Sequence, residues 1–175
     1  MRKRVISLVL ILLGAVSLWA ESAGGLSWTA PSAWKNQPRP MRAANYVIPA
    51  APGDSDPGEL AVYYFGAGQG GAVEANIQRW IGQFRAPDGG PADQLAERST
   101  KTVNGVEVEI LDLTGTYLFK ASPMAPSATP KPGYRMLAAI AKGPDAPVFF
   151  KLTAPKKTAD SVESEFFKIV DSIQR

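Results

Sequence analysis

The chain contains no cysteine and no histidine. Without cysteine it can form no disulfide and carry no lipid on a thiol, so a diacylglycerol anchor is excluded. Without either residue there is no His- or Cys-based metal site and no His- or Cys-dependent nucleophilic triad. The G-x-S-x-G elbow of serine hydrolases is missing, and no glycine loop ends in the G-K-[ST] of a phosphate-binding P-loop. Charge is also sparse. Charged residues make up 20 % of the 175 positions, with 19 Lys+Arg against 16 Asp+Glu. Three of the basic residues are Arg2, Lys3 and Arg4, so the rest of the chain is close to neutral. Apart from Lys156-Lys157, read as the solvated start of a helix, no basic cluster follows, and nucleic acid is not an expected partner.

One long apolar run is present, from Val5 to Leu18, directly after the basic residues and before Ala20, Ser22 and Ala23. It is shorter than the roughly 20 residues of a comfortable membrane span and has the layout of a secretory signal. Cleavage after Ala20, Ser22 or Ala23 is compatible with the small residues there. Residues 1–23 are therefore assigned as a signal peptide and 24–175 as a single domain, large enough for its own core. The expected location is periplasmic or secreted, with membrane contact only through an uncleaved signal segment.

Extended runs are predicted around Leu26–Trp34, over Met41–Ile48 and over Glu59–Phe65. Val73, Ile77, Trp80, Ile81 and Phe84 fall on one face of a 3.6-residue period, which predicts a helix. Leu95–Val103 and Val106–Leu113 flank Asn104-Gly105, the pair that favours a two-residue hairpin turn. Ser122–Pro132 is proline-rich and reads as an exposed loop. Tyr134–Lys142 and Val148–Ala154 form another strand pair. A final helix starts near Thr158, with Val162, Phe166, Ile169, Val170 and Ile173 on its apolar face. The order β-β-β-α-β-β-β-β-α predicts an α+β fold, a mostly antiparallel sheet packed by two helices, both placed on one side of it.

Gly66, Gly68 and Gly71 stand at G-x-G-x-x-G spacing between a strand and a helix. The dinucleotide fingerprint also needs a second parallel strand ending in an acid about 20 residues on. Asp88 lies near that offset but inside a Pro/Gly loop, so the glycines are read as a sharp strand-to-helix turn and no cofactor is expected. The remaining functional reading of the turn is an interaction or anion site formed by Gly68, Gln69, Gly70, Gly71 and Arg79, because free N–H groups at a helix start attract anions. Glu74 in the first turn weighs against it. Glu107 and Glu109 share a strand face and are the best carboxylates for acid–base work, although a wet sheet face accounts for them. Asp54, Asp56 and Glu59 have carboxylates for calcium but not the spacing of an EF-hand loop. Trp28, Trp34, Trp80, Tyr63, Tyr64 and Tyr134 are candidates for a groove or, more simply, for the core.

The segments W-T-A-P-S-A-W, P-M-R-A-A-N-Y, V-Y-Y-F-G-A-G-Q-G-G-A-V-E-A-N-I-Q-R-W, Y-R-M-L-A-A-I and F-F-K-L-T-A-P resemble a family of uncharacterised exported bacterial proteins, from about residue 26 to the C-terminus. The element order resembles the PsbP-like fold, which includes extrinsic photosystem subunits and a Ran-binding import factor. That resemblance implies a binding or assembly module with no catalytic, cofactor or metal residue to carry over. It leaves the partner open between an envelope protein and a small molecule.

Overall fold

The computed structural model describes residues 20–122 and 124–175. The expected signal segment lies outside them up to residue 19. Its last four residues, Ala20–Ala23, form strand β1, which pairs with β2 (Leu26–Thr29). The main sheet has eight strands: β3 (Lys35–Asn36), β4 (Ala44–Ile48), β5 (Gly58–Tyr63), β6 (Phe84–Arg85), β7 (Ala96–Val103), β8 (Val106–Phe119), β9 (Thr129–Ala141) and β10 (Val148–Pro155). Their order is β3-β4-β5-β10-β9-β8-β6, with β7 also pairing along β8. Every pairing among the described residues is antiparallel. Helix α1 (Val73–Ile81) follows β5, and α2 (Lys156–Ser161) and α3 (Glu163–Asp171) follow β10. The fold is thus the expected α+β architecture.

The alternation of side chains assigns the two sheet faces. Leu60 and Val62 of β5, Val106, Val108 and Ile110 of β8, Leu137, Ala139 and Ala141 of β9, and Phe150 and Leu152 of β10 share one core with Phe166, Ile169, Val170 and Ile173. Leu111 and Leu113, Met136, Ala138 and Ile140, and Phe149 point the other way, onto Ile77, Trp80 and Ile81 of α1. The helices therefore pack on opposite faces, which corrects the one-sided expectation. The cause lies in β9 and β10, whose near-continuous apolar runs need cover on both sides. Trp28 completes the first core, edge-on to Phe150 at 5.2 Å between ring centroids.

The Asn104-Gly105 hairpin forms as expected. Val103 pairs with Val106, and both turn residues have positive φ (48° and 77°), the combination a type I′ turn requires. Three boundaries differ from the sequence reading. Phe84 is fully buried on the α1 face, but as part of β6 and not of the helix. The proline-rich loop ends before Thr129, because Pro130 and Pro132 lie in β9. There β9 pairs only with β8, while β10 joins it from Tyr134 onward, so neither proline removes a needed ladder donor. The final helix is broken at Val162 (φ −119°) into α2 and α3.

Candidate functional site

β10 runs through the centre of the sheet as V-F-F-K-L-T-A-P, with one charge in an otherwise apolar strand. Lys151 points to the α1 face, between Phe149 and Thr153. Its direct cross-strand neighbours are Ala61 on β5 and Ala138 on β9. Opposite residues in an antiparallel pair project to the same side. The row Ala61–Lys151–Ala138 is therefore low, and a cleft opens over it. The adjacent row, with Phe149 opposite Tyr63, forms a wall.

Two cavities meet at Lys151. One, of about 180 Å³, is lined by Tyr63, Phe65, Arg79, Trp80, Phe149 and Gln83 as well as the lysine. The other, of about 270 Å³, adds Arg42, Glu59, Tyr117, Phe119, Lys131 and Tyr134. Trp80 meets Phe149 edge-on at 6.1 Å, and Tyr63 stacks on Phe65 at 6.0 Å. Aromatic walls with a few converging polar groups are the composition of a small-molecule site.

The cations of the cleft fall into two kinds. Arg42 pairs with Glu59 at 2.7 Å and lies over the Tyr63 ring. Lys131 pairs with Asp56 at 2.7 Å, and the Tyr134 hydroxyl donates to the same carboxylate at 2.6 Å. The hydrogen bond to Lys131, aided by that from Tyr134, holds Asp56 below the usual carboxylate range, and Lys131 is raised in turn, chiefly by Asp56. Among the described residues, Lys151 and Arg79 form no such ion pair. Lys151 is 9 % exposed, donates to Gln83 Oε1 and sits 5.4 Å from the centre of the Tyr117 ring. Burial lowers its ammonium to about 8; Glu59 pulls it upward, and Arg79 and Arg42 push it further down. Burial likewise raises the phenols of Tyr63 and Tyr117. Arg79 donates to Asn76 Oδ1 and is otherwise open to the cavity and to solvent.

The glycine-rich turn lies beside this cleft. The N–H of Gln69 donates to Gly66 O at 3.0 Å and that of Gly68 to Asp145 O at 3.2 Å. Gly66, Gly68, Gly70 and Gly71 all have positive φ. At Gly70 (φ 97°) a Cβ would stand 3.0 Å from the Phe149 ring and 3.5 Å from Phe65, so the missing side chain lets both rings close the cavity. Asn76 donates to Gly70 O at 2.7 Å and accepts from Arg79, linking turn, helix and cavity. Of the five residues proposed from sequence, Arg79 lines the smaller cavity and Gly70 backs its wall. Gly68, Gln69 and Gly71 do not line it. Glu74, at the helix start, is engaged by Arg98 at 2.8 Å. Among the described residues the dinucleotide spelling has no parallel strand behind it.

The other sequence candidates have separate employment. Asp54 accepts from the Thr158 N–H (2.8 Å) and hydroxyl (2.7 Å), supplying a cap for α2 that its own N-cap residue, Pro155, lacks. Asp56 and Glu59 are paired as above, so the three acids do not converge, and the described residues contain no group of three or more metal-ligating side chains. Glu107 pairs with Lys142, and Glu109 accepts from Thr100 at 3.1 Å. Trp28, Trp34 and Trp80 are core residues, Tyr64 packs against the first core, and Tyr63 and Tyr134 line the cleft. Lys151, Arg42, Gln83 and Tyr117 were not anticipated. A lone lysine in an apolar central strand was the signal available for the first.

No protein-family model and no curated protein matches the chain. Solved structures do. Cyanobacterial PsbP (CyanoP) from Synechocystis sp. PCC 6803 has a TM-score of 0.52 at 15 % identity, covering 95 % of this chain and 96 % of that one. A Pseudomonas aeruginosa protein of unknown function, PA94, has a TM-score of 0.50 at 12 % identity, covering 90 % and 96 %. LpqN of Mycobacterium tuberculosis, described as involved in cell envelope biogenesis, has a TM-score of 0.47 at 12 % identity, covering 85 % and 82 %. At such identities the likeness concerns the fold. The chain has a PsbP-like α+β fold, on the strength of the first.

Proposed function

We propose that this chain is an exported, non-catalytic binding protein that holds a small anionic ligand in the cleft of the α1 face. Export is supported by the basic and apolar N-terminal segment and by the motif resemblance to exported bacterial proteins. The observation that carries the binding reading is Lys151, a buried cation without a carboxylate partner at the floor of an aromatic-walled cleft, with Arg79 beside it. Burying a charge is costly unless it is paired, and a ligand carboxylate or phosphate supplies the missing partner. Each cavity is smaller than the ~300–1,000 Å³ typical for drug-sized ligands, which sets the scale of the molecule.

Isothermal titration of the full chain with 3-phenylpropionate, benzoate and inorganic phosphate tests this. The expected result is binding heat with at least one aromatic carboxylate, lost in Lys151→Met. Absence of heat with all three at millimolar concentration overturns it. A second reading, an assembly module for an envelope protein, is favoured by Phe65 and Phe119, which line the cleft and are 42 % and 38 % exposed. Under that reading a protein crosslinked near Phe119 is lost in Phe119→Ala and is not displaced by small carboxylates.

A further inference from the structure

We infer that Lys151 captures its ligand covalently, as an imine with the carbonyl group of a 2-oxo acid whose carboxylate is held by Arg79. The inference rests on the cleft being an anion site and adds the chemistry of capture. Three arrangements support it. First, the Nζ lies on the floor of a cavity and not on an exposed surface, and its protein partner, the amide of Gln83, is neutral. A lysine salt-bridged to a carboxylate is fixed in the ammonium form, whereas this one is free to lose a proton. Second, Arg79 faces the same 180 Å³ cavity without an acid partner. Arg79 and Lys151 line this one cavity, so a carboxylate on the first leaves an adjoining carbonyl inside the space the second also lines, among the Tyr63, Phe65, Trp80 and Phe149 rings. Third, the phenols of Tyr63 and Tyr117 line the cleft in their protonated form, as hydrogen-bond donors and not as acids.

The step balances without an outside oxidant or reductant. The Nζ lone pair forms a bond to the carbonyl carbon, and the C=O π pair moves to oxygen, which takes a proton as nitrogen gives one up. The carbinolamine nitrogen then gives up its remaining proton to the departing hydroxyl, which leaves as water while the nitrogen electron pair forms C=N. Amine plus carbonyl gives imine plus water. Desolvated lysines beside other cations are the ones that act as amine nucleophiles, and burial together with Arg79 and Arg42 places Lys151 in that class. The charged and titratable groups lining its two cavities are Glu59 and Tyr63 from β5, Tyr117 from β8 with Lys120 just after it, Lys131 and Tyr134 from β9, Arg79 from α1 and Arg42 ahead of β4.

The test is reductive trapping. The full chain is incubated with phenylpyruvate and cyanoborohydride at pH 6 to 9, with intact-mass and peptide analysis, and calorimetry with phenylpyruvate and 3-phenylpropionate runs in parallel. The expected result is one reduced adduct per chain, mapped to Lys151, absent in Lys151→Met and in Lys151→Arg. Its rate rises as pH passes through about 8 and falls about tenfold or more in Arg79→Met, the loss of one charge-assisted contact. Equal binding heat for both acids with no adduct overturns covalent capture and leaves the anion site standing. Adducts scattered over surface lysines also overturn it. Neither heat nor adduct overturns both readings.

Discussion

Replacing Lys151 with methionine is expected to make the protein more stable at neutral pH. The magnitude follows from the depressed ammonium. A lysine that titrates near 8 when folded and at 10.5 when exposed differs by roughly 2.5 units, and each unit is ~1.36 kcal/mol. The charged side chain therefore costs the folded state about 3 kcal/mol below pH 8. Methionine is of similar length and carries no charge. It forfeits the hydrogen bond to Gln83, about 1 kcal/mol, and Gln83 is itself half-exposed and can turn to water. The net gain is about 2 kcal/mol, or roughly 4–8 °C in Tm for a domain of this size. The sign of the pH dependence gives a second check. Between pH 8 and 10.5 the unfolded chain binds more protons at this lysine than the folded one, so this group makes native stability rise with pH across that window. The variant lacks the rise. Urea denaturation of both proteins from pH 6.5 to 10 measures it. A variant less stable than the native chain at pH 7, or two pH profiles of the same shape, refutes the reasoning, because either result means that Lys151 is solvated or paired.

Two further substitutions check the surroundings of the cleft. Gly70→Ala forces a Cβ into a positive-φ position 3.0 Å from Phe149, and is expected to cost about 1–3 kcal/mol in chemical denaturation and to weaken ligand binding; Gly68→Ala, also at positive φ but facing open space, costs about 1 kcal/mol and leaves binding unchanged. Asp54→Ala removes the two hydrogen bonds to Thr158 at the start of α2, and a loss of about 1–2 kcal/mol without change in ligand affinity is expected from calorimetric and titration measurements.

The legible parts of the fold were those coded locally. The α1 stripe, the Asn-Gly turn and the β10 run each carry their own signal within a few residues. The start of β9 was hidden because Pro130 and Pro132 oppose a strand assignment, and only the tertiary fact that β10 stops at Pro155 makes them harmless. The two-sided packing did have a local mark. M-L-A-A-I-A and V-F-F-K-L-T-A are apolar at both alternating positions, so each strand needs two covers. A helix count alone could not assign one helix to each face.

The cleft was less legible for a different reason. Its residues come from β5, α1, the turn after α1, β8, β9, β10 and the segment before β4, and no spacing along the chain relates them. What joins them is register. Once Phe149 pairs with Tyr63 and Lys151 with Ala61, the alternation of the sheet decides that Tyr63, Phe149 and Lys151 share a face, and that two alanines leave space beside the lysine. A shift of one residue in β5 would exchange that face for Leu60 and Val62 and fill the space with core. The tightest constraint on the site is thus the same pairing that builds the hydrophobic layers. A buried lysine without a carboxylate partner is a cost to folding in that position, and under the proposed reading a ligand anion offsets it.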